Sequence, residues 1–248
     1  MNNIEKLKQE FNRIKSLGFV ENTRPNNKDG GIGNTFEDLL GIVENNRSEA
    51  DFYGFEIKSQ RAFNTSVISL FTKAPEFPKG ANSFLRETYG EVRDENHSNK
   101  KILYASVYGN REAEVYSKYK MRLNVNRQKE KLELIIKDLE NNILTSVYWS
   151  FSLLEKSSKK LKNLFLVFAE TKKEGEKSFC FFKSGNIYYN FDFQKFLTEI
   201  ENGNIQFDIR IGVYNSGKNY GKTHDHGSGF RIKRENFQNL YSSFEEIK

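Results

Sequence analysis

The chain has 248 residues, of which 37% are hydrophobic and 29% are charged, a balance typical of a folded globular protein rather than a disordered one. Lysine and arginine outnumber aspartate and glutamate by 39 to 33, so the net positive charge permits a polyanionic partner without requiring one. The single cysteine, Cys180, excludes an internal disulfide framework. The N-terminus is polar and no apolar run could cross a bilayer, so we expect a soluble, cytoplasmic protein.

The first predicted element is an amphipathic helix closed by Gly18, with five apolar residues at helical spacing: Ile4, Leu7, Phe11, Ile14 and Leu17. The polar stretch 22–33 then ends in a glycine cluster. That cluster could cradle phosphate, but it matches neither a P-loop nor a dinucleotide fingerprint, and we interpret it as a mobile turn. A short helix is predicted to begin at Asn34 or Thr35 and to end at Val43.

The remainder of the chain mixes short strands and helices without strict alternation. Strand patterns occupy 51–60, 66–72, 131–138, 164–169, 178–182, 205–214 and 229–233, the last strand of the chain. Helices are predicted at 150–161 and 191–200, whereas 74–111 reads as loops and 91–128 is the least informative stretch. This mixture predicts an α/β chain of the α+β kind, built on a mixed sheet.

The sharpest motif is Asp51-Phe-Tyr-Gly-Phe-Glu56-Ile-Lys58. Side chains alternate along a strand, so Glu56 and Lys58 share one face, and a bend at Tyr53-Gly54 can fold Asp51 back beside them. Two converging carboxylates suit Mg²⁺, and a lysine beside the metal can position and help deprotonate an attacking water. The plainer alternative is an exposed strand with an ordinary Glu/Lys pair, a pattern that arises often by chance.

Glu37 lies in the short helix, one residue from its apolar stripe, and can face the strand as a third carboxylate. The alternative is a helix N-terminal charge that is favourable to the macrodipole, a role that Asp38 fits equally well.

Two separated motifs resemble the MutH-type branch of the PD-(D/E)xK nucleases: Gly-Ile-Gly-Asn-Thr-Phe-Glu-Asp-Leu-Leu-Gly at 31–41, and Asp51 followed by Glu56-Ile-Lys58-Ser59. Five further segments are similar to the MvaI/BcnI restriction endonucleases, MvaI being the nearer: Leu70-Phe71-Thr72-Lys73, Gly80-Ala81-Asn82, Val147-Tyr148-Trp149-Ser150-Phe151, Asp208-Ile-Arg210-Ile-Gly212 and His224-Asp225-His226-Gly227. The spacing from Asp51 to Glu56 is shorter than in MutH and agrees with MvaI. The resemblance runs from the first helix almost to the end of the chain.

The resemblance implies that Asp51 and Glu56 are metal ligands for Mg²⁺, that Lys58 activates the water and that Glu37 is an auxiliary carboxylate. It implies a restriction-endonuclease-like core in one two-lobed domain spanning 1–248, with a catalytic lobe at roughly 1–95 and a recognition lobe at roughly 96–248.

On the same grounds we expect a monomeric type II restriction endonuclease that clamps double-stranded DNA. It would cut short, nearly palindromic sites of the CC-N-GG kind, one strand at a time. A cognate DNA methyltransferase is expected as a genetic partner, because the host genome would otherwise be cleaved.

The C-terminal stretch 208–234 holds six basic residues and two acidic ones, which alone would indicate a solvated charge run. Five of its side chains are of the types that read base edges: Arg210, His224, Asp225, His226 and Arg231. Lys218 and Lys222 lie in a glycine-rich loop and suit phosphate contacts. The alternatives for the histidine pair are a surface loop or a metal pair, although further zinc ligands are lacking nearby. We assign no role to His97.

Two other functions stay open at this stage. One is a mismatch-repair nicking enzyme of the MutH kind, which needs protein partners. The other, from a different class, is a catalytically silent DNA-binding module. The intact set of Asp51, Glu56 and Lys58 argues against the second, because binding alone does not require it.

Overall fold

The computed structural model describes residues 2–24, 30–42, 50–63, 66–92 and 99–248. Contacts divide the chain into two units, each made of several segments. Unit 1 comprises Met1–Ser66, Lys159–Asp192 and Phe237–Lys248, and unit 2 comprises Val67–Ser158 and Phe193–Asn236. This division differs from a single boundary near residue 95, because the chain leaves unit 1 and returns to it twice. No helix in the described part is long and apolar enough to span a membrane.

Unit 1 is built on a five-stranded mixed sheet. Numbered in chain order, its strands are β1 (Val20–Glu21), β2 (Glu56–Arg61), β9 (Asn163–Glu174), β10 (Lys177–Phe191) and β14 (Tyr241–Ile247). Strand β9 pairs in parallel with β2 and antiparallel with β10, while β1 and β14 both pair with β10. The strand that carries the predicted catalytic motif is therefore held by a strand about a hundred residues later in the chain.

The described residues of unit 1 form two α-helices, α1 (Asn3–Ser16) and α2 (Gly31–Leu39). Helix α1 begins with a capping box formed by Asn2 and Glu5, which satisfies backbone N–H groups at the first turn. Its apolar stripe enters a core shared with α2 and the sheet, whose fully buried members include Leu7, Phe11, Phe36, Phe165 and Val167. The predicted first helix is confirmed.

Helix α2 starts three residues earlier than predicted, so the glycine cluster forms its first turn rather than a mobile loop. The reason is close packing. A Cβ atom at Gly31 would lie 2.6 Å from the Asn22 side chain and 3.2 Å from the Arg24 carbonyl oxygen. The helix ends at Leu39, and Val43, the predicted last residue, lies outside the described residues.

Unit 2 contains two sheets. The five-stranded sheet consists of β3 (Ile68–Thr72), β4 (Leu103–Val107), β11 (Ile205–Val213), β12 (Thr223–Asp225) and β13 (Gly229–Ile232). The four-stranded antiparallel sheet consists of β5 (Ala113–Val115), β6 (Tyr119–Asn126), β7 (Lys131–Lys137) and β8 (Ile143–Ser150). Its helices are α3 (Ala81–Tyr89), α4 (Phe151–Ser158) and α5 (Phe193–Glu201). Fully buried Trp149 packs edge-on against Phe207 and Phe230 in its core.

Two expectations about the elements were wrong. The region 74–111, predicted as loops, contains α3 and β4, because tertiary burial of Ala81, Leu85 and Tyr89 on one side of α3 outweighs the local proline and glycine signals. The strand at 229–233 is not the last one, since β14 follows it. The predicted mixed α+β class is confirmed.

Candidate active site and candidate nucleic-acid interface

A tight turn brings the two carboxylates of the motif together in unit 1. Phe52 and Phe55 exchange both backbone hydrogen bonds, at 3.0 and 2.9 Å. The two residues between them, Tyr53 and Gly54, have φ values of 46° and 85°, which is the left-handed geometry of a two-residue hairpin turn. The predicted bend is therefore present, and it returns the chain so that Asp51 lies beside the start of β2.

Glu56 is the centre of the cluster. Its Oε1 accepts from Nζ of Lys58 at 3.1 Å and from Nζ of Lys160 at 2.7 Å. The residue is only 2% exposed, and burial acts to raise the pKa of the carboxyl, but the two ammonium groups outweigh it and the pKa is lowered. Glu56 is therefore a buried carboxylate held ionised by two lysines.

The second carboxylate belongs to Asp51, whose Oδ2 accepts from the Ile57 backbone N–H at 3.0 Å. The residue as a whole is exposed, yet partial burial of the carboxyl and the neighbouring Glu56 charge raise the pKa of Asp51. Two like charges this close disfavour each other unless a cation lies between them.

The chemistry of this cluster fits a divalent cation. Glu56 Oε2 is buried and has no hydrogen-bond partner among the described residues, which is costly for a carboxylate oxygen unless a further cation or water satisfies it. Two carboxylates and few other ligands suit Mg²⁺, which keeps several waters. Over the described residues, no group of three or more His, Cys, Asp or Glu is placed to hold a metal ion. Glu37 is half-buried on α2, and its role as an auxiliary carboxylate stays a prediction.

Lys160 is a member of the cluster that the sequence did not reveal. It lies on a 3-10 turn, Lys159–Lys162, directly before β9. Because β9 runs parallel to β2, with Leu164 opposite Glu56, the turn places Lys160 beside the start of β2. Nothing local marks this lysine among its neighbours, and only the strand pairing identifies it.

Replacing Lys160 by methionine should lower the free energy of unfolding by about 1–3 kcal/mol at pH 7. The lowered pKa of Glu56 contributes stability above its unfolded value, near 4.5, and that contribution is lost as the pH falls through the folded pKa. The difference between Lys160→Met and wild type should therefore shrink as the pH falls below 4.5. Urea unfolding across this pH range measures it, with the exposed neighbour variant Lys159→Met as control. A difference that does not change with pH would contradict the assignment.

In unit 2, the even-numbered residues of β11 form a polar face, because side chains alternate along the strand. Gln206, Asp208 and Arg210 lie on this face, while the odd-numbered positions are buried. Cross-strand partners share the face: Ser106 and Tyr104 from β4, Arg231 from β13 and His224 from β12. We call this set the polar face of unit 2.

Arg231 is anchored within the polar face. Its Nε lies 3.3 Å from Asp208 Oδ2, both side chains being 13% exposed, and its Nη2 donates to the Gly227 carbonyl oxygen at 3.0 Å. Asp208 also accepts from Ser106 Oγ at 2.7 Å and Gln206 Nε2 at 2.6 Å. Asp208, Gln206 and Ser106 were missed as site residues, although the strict alternation from Ile205 to Val213 was a signal that could have found the two on β11.

The two histidines meet over the end of β11. The ring of Tyr214 stacks on His224 with centroids 4.2 Å apart, and His226 stands edge-on to His224 at 4.8 Å. Burial and the adjacent His224 lower the pKa of His226. A Cβ atom at Gly212 would lie 2.1 Å from the Tyr104 hydroxyl and 2.9 Å from His226 Nε2, so this glycine leaves the space in which those two side chains approach.

The remaining predicted residues lie elsewhere. Lys218 and Lys222 are exposed on the loop between β11 and β12. Asp225 pairs with buried Ile211 of β11, whereas His224 pairs with Gly212 on the polar face. Because side chains alternate along a strand, the Asp225 side chain projects from the face of the sheet opposite to that of His224.

A mixed sheet whose β2 strand carries Glu56 and Lys58, with Asp51 brought beside its start by the preceding turn, is the arrangement of a restriction-endonuclease-like fold. The chain matches the model of the MvaI/BcnI restriction endonuclease family over residues 8–241. It therefore belongs to the MvaI/BcnI restriction endonuclease family, and it is a type II restriction endonuclease, a DNA-cleaving hydrolase.

Two solved structures are similar to the chain. One is a restriction endonuclease MvaI–cognate DNA substrate complex, with 37% identity, a TM-score of 0.91 and coverage of 100% of this chain and 99% of that one. The other is restriction endonuclease MvaI in the absence of DNA, with 38% identity, a TM-score of 0.63 and coverage of 100% and 98%. No curated protein matches the chain.

Proposed function

We propose that the enzyme hydrolyses phosphodiester bonds of double-stranded DNA at a short pseudo-palindromic site of the CC-N-GG kind, with Mg²⁺ as cofactor. The observation that carries the metal dependence is the buried Glu56 Oε2, which finds no hydrogen-bond partner in the part of the chain that the structure describes and lies beside Asp51. A bound Mg²⁺ would lower the pKa of water and neutralise charge that builds on the scissile phosphate.

Asp51 and Glu56 are the groups that would hold the ion. Lys58 donates to Glu56 Oε1 and projects from the same face of β2, so it is placed to orient an attacking water. The neutral amine form of Lys58 would accept the proton of that water. Lys160 supplies a second positive charge to the same oxygen. It keeps Glu56 ionised when Lys58 engages the water or the phosphate.

The polar face of unit 2 is the proposed base-reading surface. Arginine pairs with guanine and histidine can donate to or accept from base edges. Arg210, Arg231 and His224 share this surface, and His226 stands edge-on to His224. That an MvaI structure 37% identical to this chain is a complex with cognate DNA supports a duplex as the ligand here. We infer that the enzyme acts as a monomer in the cytoplasm, and that a cognate methyltransferase protects the host genome.

Incubation of the purified chain with plasmid DNA in Mg²⁺ tests this function. We expect defined linear fragments without any added protein, whose sequenced ends share one short site and give its central base and cut position. Cleavage that requires partner proteins and stops at nicks would instead favour a mismatch-repair nicking enzyme. Site-specific binding with no cleavage under any divalent cation would favour the silent DNA-binding module.

Arginine and lysine variants should separate base reading from phosphate contact. Truncating Arg210 or Arg231 should cost about 1–3 kcal/mol on the specific duplex and little on scrambled DNA. Truncating Lys218 or Lys222 should weaken binding to both duplexes alike and flatten the salt dependence. Binding titrations in Ca²⁺ across a salt series measure both effects. Equal losses of binding free energy on both duplexes for the arginine variants would mean that the polar face attracts DNA by charge alone and reads no bases.

A further inference from the structure

The carboxylate of Asp225 is engaged by the protein itself. Its Oδ1 accepts from the backbone N–H of Gly227 at 3.0 Å, the backbone N–H of Ser228 at 2.7 Å and the Ser228 hydroxyl at 2.8 Å. Its Oδ2 accepts from Asn82 Nδ2 at 2.6 Å. Three donors fill Oδ1, and Asn82 takes one of the two acceptor positions of Oδ2, so at most one acceptor position is left for a base.

The turn that Asp225 holds is joined to the neighbouring strand. Buried Ser228, after donating to Asp225, accepts from the Arg210 backbone N–H at 2.8 Å. The backbone N–H of His226 donates to the Arg210 carbonyl oxygen at 2.8 Å. Both backbone polar groups of Arg210 are thus bonded to the segment that Asp225 organises.

The same turn anchors the second arginine. Gly227 has a φ of +88°, a conformation that favours glycine. In this conformation its carbonyl oxygen accepts a hydrogen bond from Arg231 Nη2. Asp225 therefore holds Gly227 and Ser228, and these two turn residues bond to Arg231 and Arg210 respectively. His226, which precedes them in the turn, bonds to the Arg210 carbonyl oxygen.

We propose that Asp225, supported by Asn82, is a positioning residue that sets the geometry of the base-reading side chains without touching DNA. The proposal rests on the proposed base-reading role of the polar face. It departs from the expectation, drawn from residue type alone, that Asp225 itself reads a cytosine. A base reader governs one base pair, whereas a residue that holds three readers in place governs all the base pairs they contact.

The test is a panel of duplexes, each with one base pair of the experimentally determined target changed, titrated in Ca²⁺ against wild type and variants. Asp225→Ala should lower discrimination about tenfold or more at the same base pairs where Arg210→Ala and Arg231→Ala lower it. Asn82→Ala should give a weaker version of that profile. Asp225→Asn should keep most discrimination, because its Oδ1 can still accept from Gly227 and Ser228.

The exposed variant Glu235→Gln removes the same charge outside the network and should leave every ratio unchanged. Thermal unfolding of each variant shows whether it is folded, and if Asp225→Ala is not, Asn82→Ala and Asp225→Asn decide. The proposal is overturned if loss is confined to one base pair that the arginine variants leave unaffected, or if Asp225→Asn is as damaging as Asp225→Ala in a folded protein. A wild-type enzyme that prefers no sequence would refute the proposed function instead.

Discussion

Replacing Asp51 by alanine is expected to abolish cleavage while binding of the specific duplex persists or tightens. Asp51 and Glu56 present adjacent carboxylates to a polyanion, and such a pair repels DNA unless a cation lies between them. Removing one carboxylate relieves the repulsion and also removes a ligand. In Asp51→Ala, the cleavage rate in Mg²⁺ should therefore fall, whereas the affinity for DNA without divalent cation should rise.

The measurement is single-turnover cleavage together with a binding titration. Glu21→Ala serves as the matched control, because Glu21 is an exposed carboxylate of unit 1 whose partner, Lys177, is exposed as well. Glu56→Gln should lose cleavage in the same way. Glutamine preserves the buried shape, although it leaves Lys58 and Lys160 without their counter-charge. Strong Mg²⁺-dependent cleavage by Asp51→Ala would show that Asp51 is not a metal ligand.

Replacing Lys58 by methionine should slow cleavage by about 10²–10⁴-fold, the usual contribution of a positioned proton-transfer group. Specific binding in Ca²⁺ should survive, since the Lys58 side chain is only 16% exposed and its ammonium group is paired with Glu56. Lys58→Arg tests whether charge alone is needed, because arginine keeps the charge but does not release its proton. We expect Lys58→Arg to remain slow.

Single-turnover rates with the metal in excess measure this effect, with Lys183→Met as the control for loss of a surface lysine in the same unit. Rates near wild type for Lys58→Met would assign water activation to another group. Recovery in Lys58→Arg would assign Lys58 an electrostatic role only.

Periodicity along the chain predicted the elements that bury one face. Helix α1 and strand β11 were found because their apolar residues repeat at 3.6 and 2 positions. Helix α3 and strand β4 were missed because their burial depends on neighbours that are remote in sequence. The turn of the proposed catalytic motif was predicted because both carboxylates and the lysine lie within eight residues, Asp51 to Lys58.

Contacts between segments that are remote in the chain could not be predicted from the sequence. Lys160 joins Glu56 only through the parallel pairing of β2 with β9. Asp225 has the residue type of a base reader, but its strand register and its bonds to Asn82 and Ser228 set it apart from the histidines on either side. Residue type identified the chemistry, and only pairing register identified which side chains share a surface.

The discontinuity of unit 1 has a consequence for synthesis on the ribosome. Asp51, Glu56 and Lys58 are translated early, but β9 and Lys160 follow about a hundred residues later, and β14 later still. Long-range parallel pairing forms slowly because the intervening loop must close first. A nascent or prematurely terminated chain that stops before β9 therefore carries the catalytic motif without the strand that orders it. We expect nuclease activity to arise only as translation nears completion, which limits the damage that incomplete chains can inflict on the cell's own DNA.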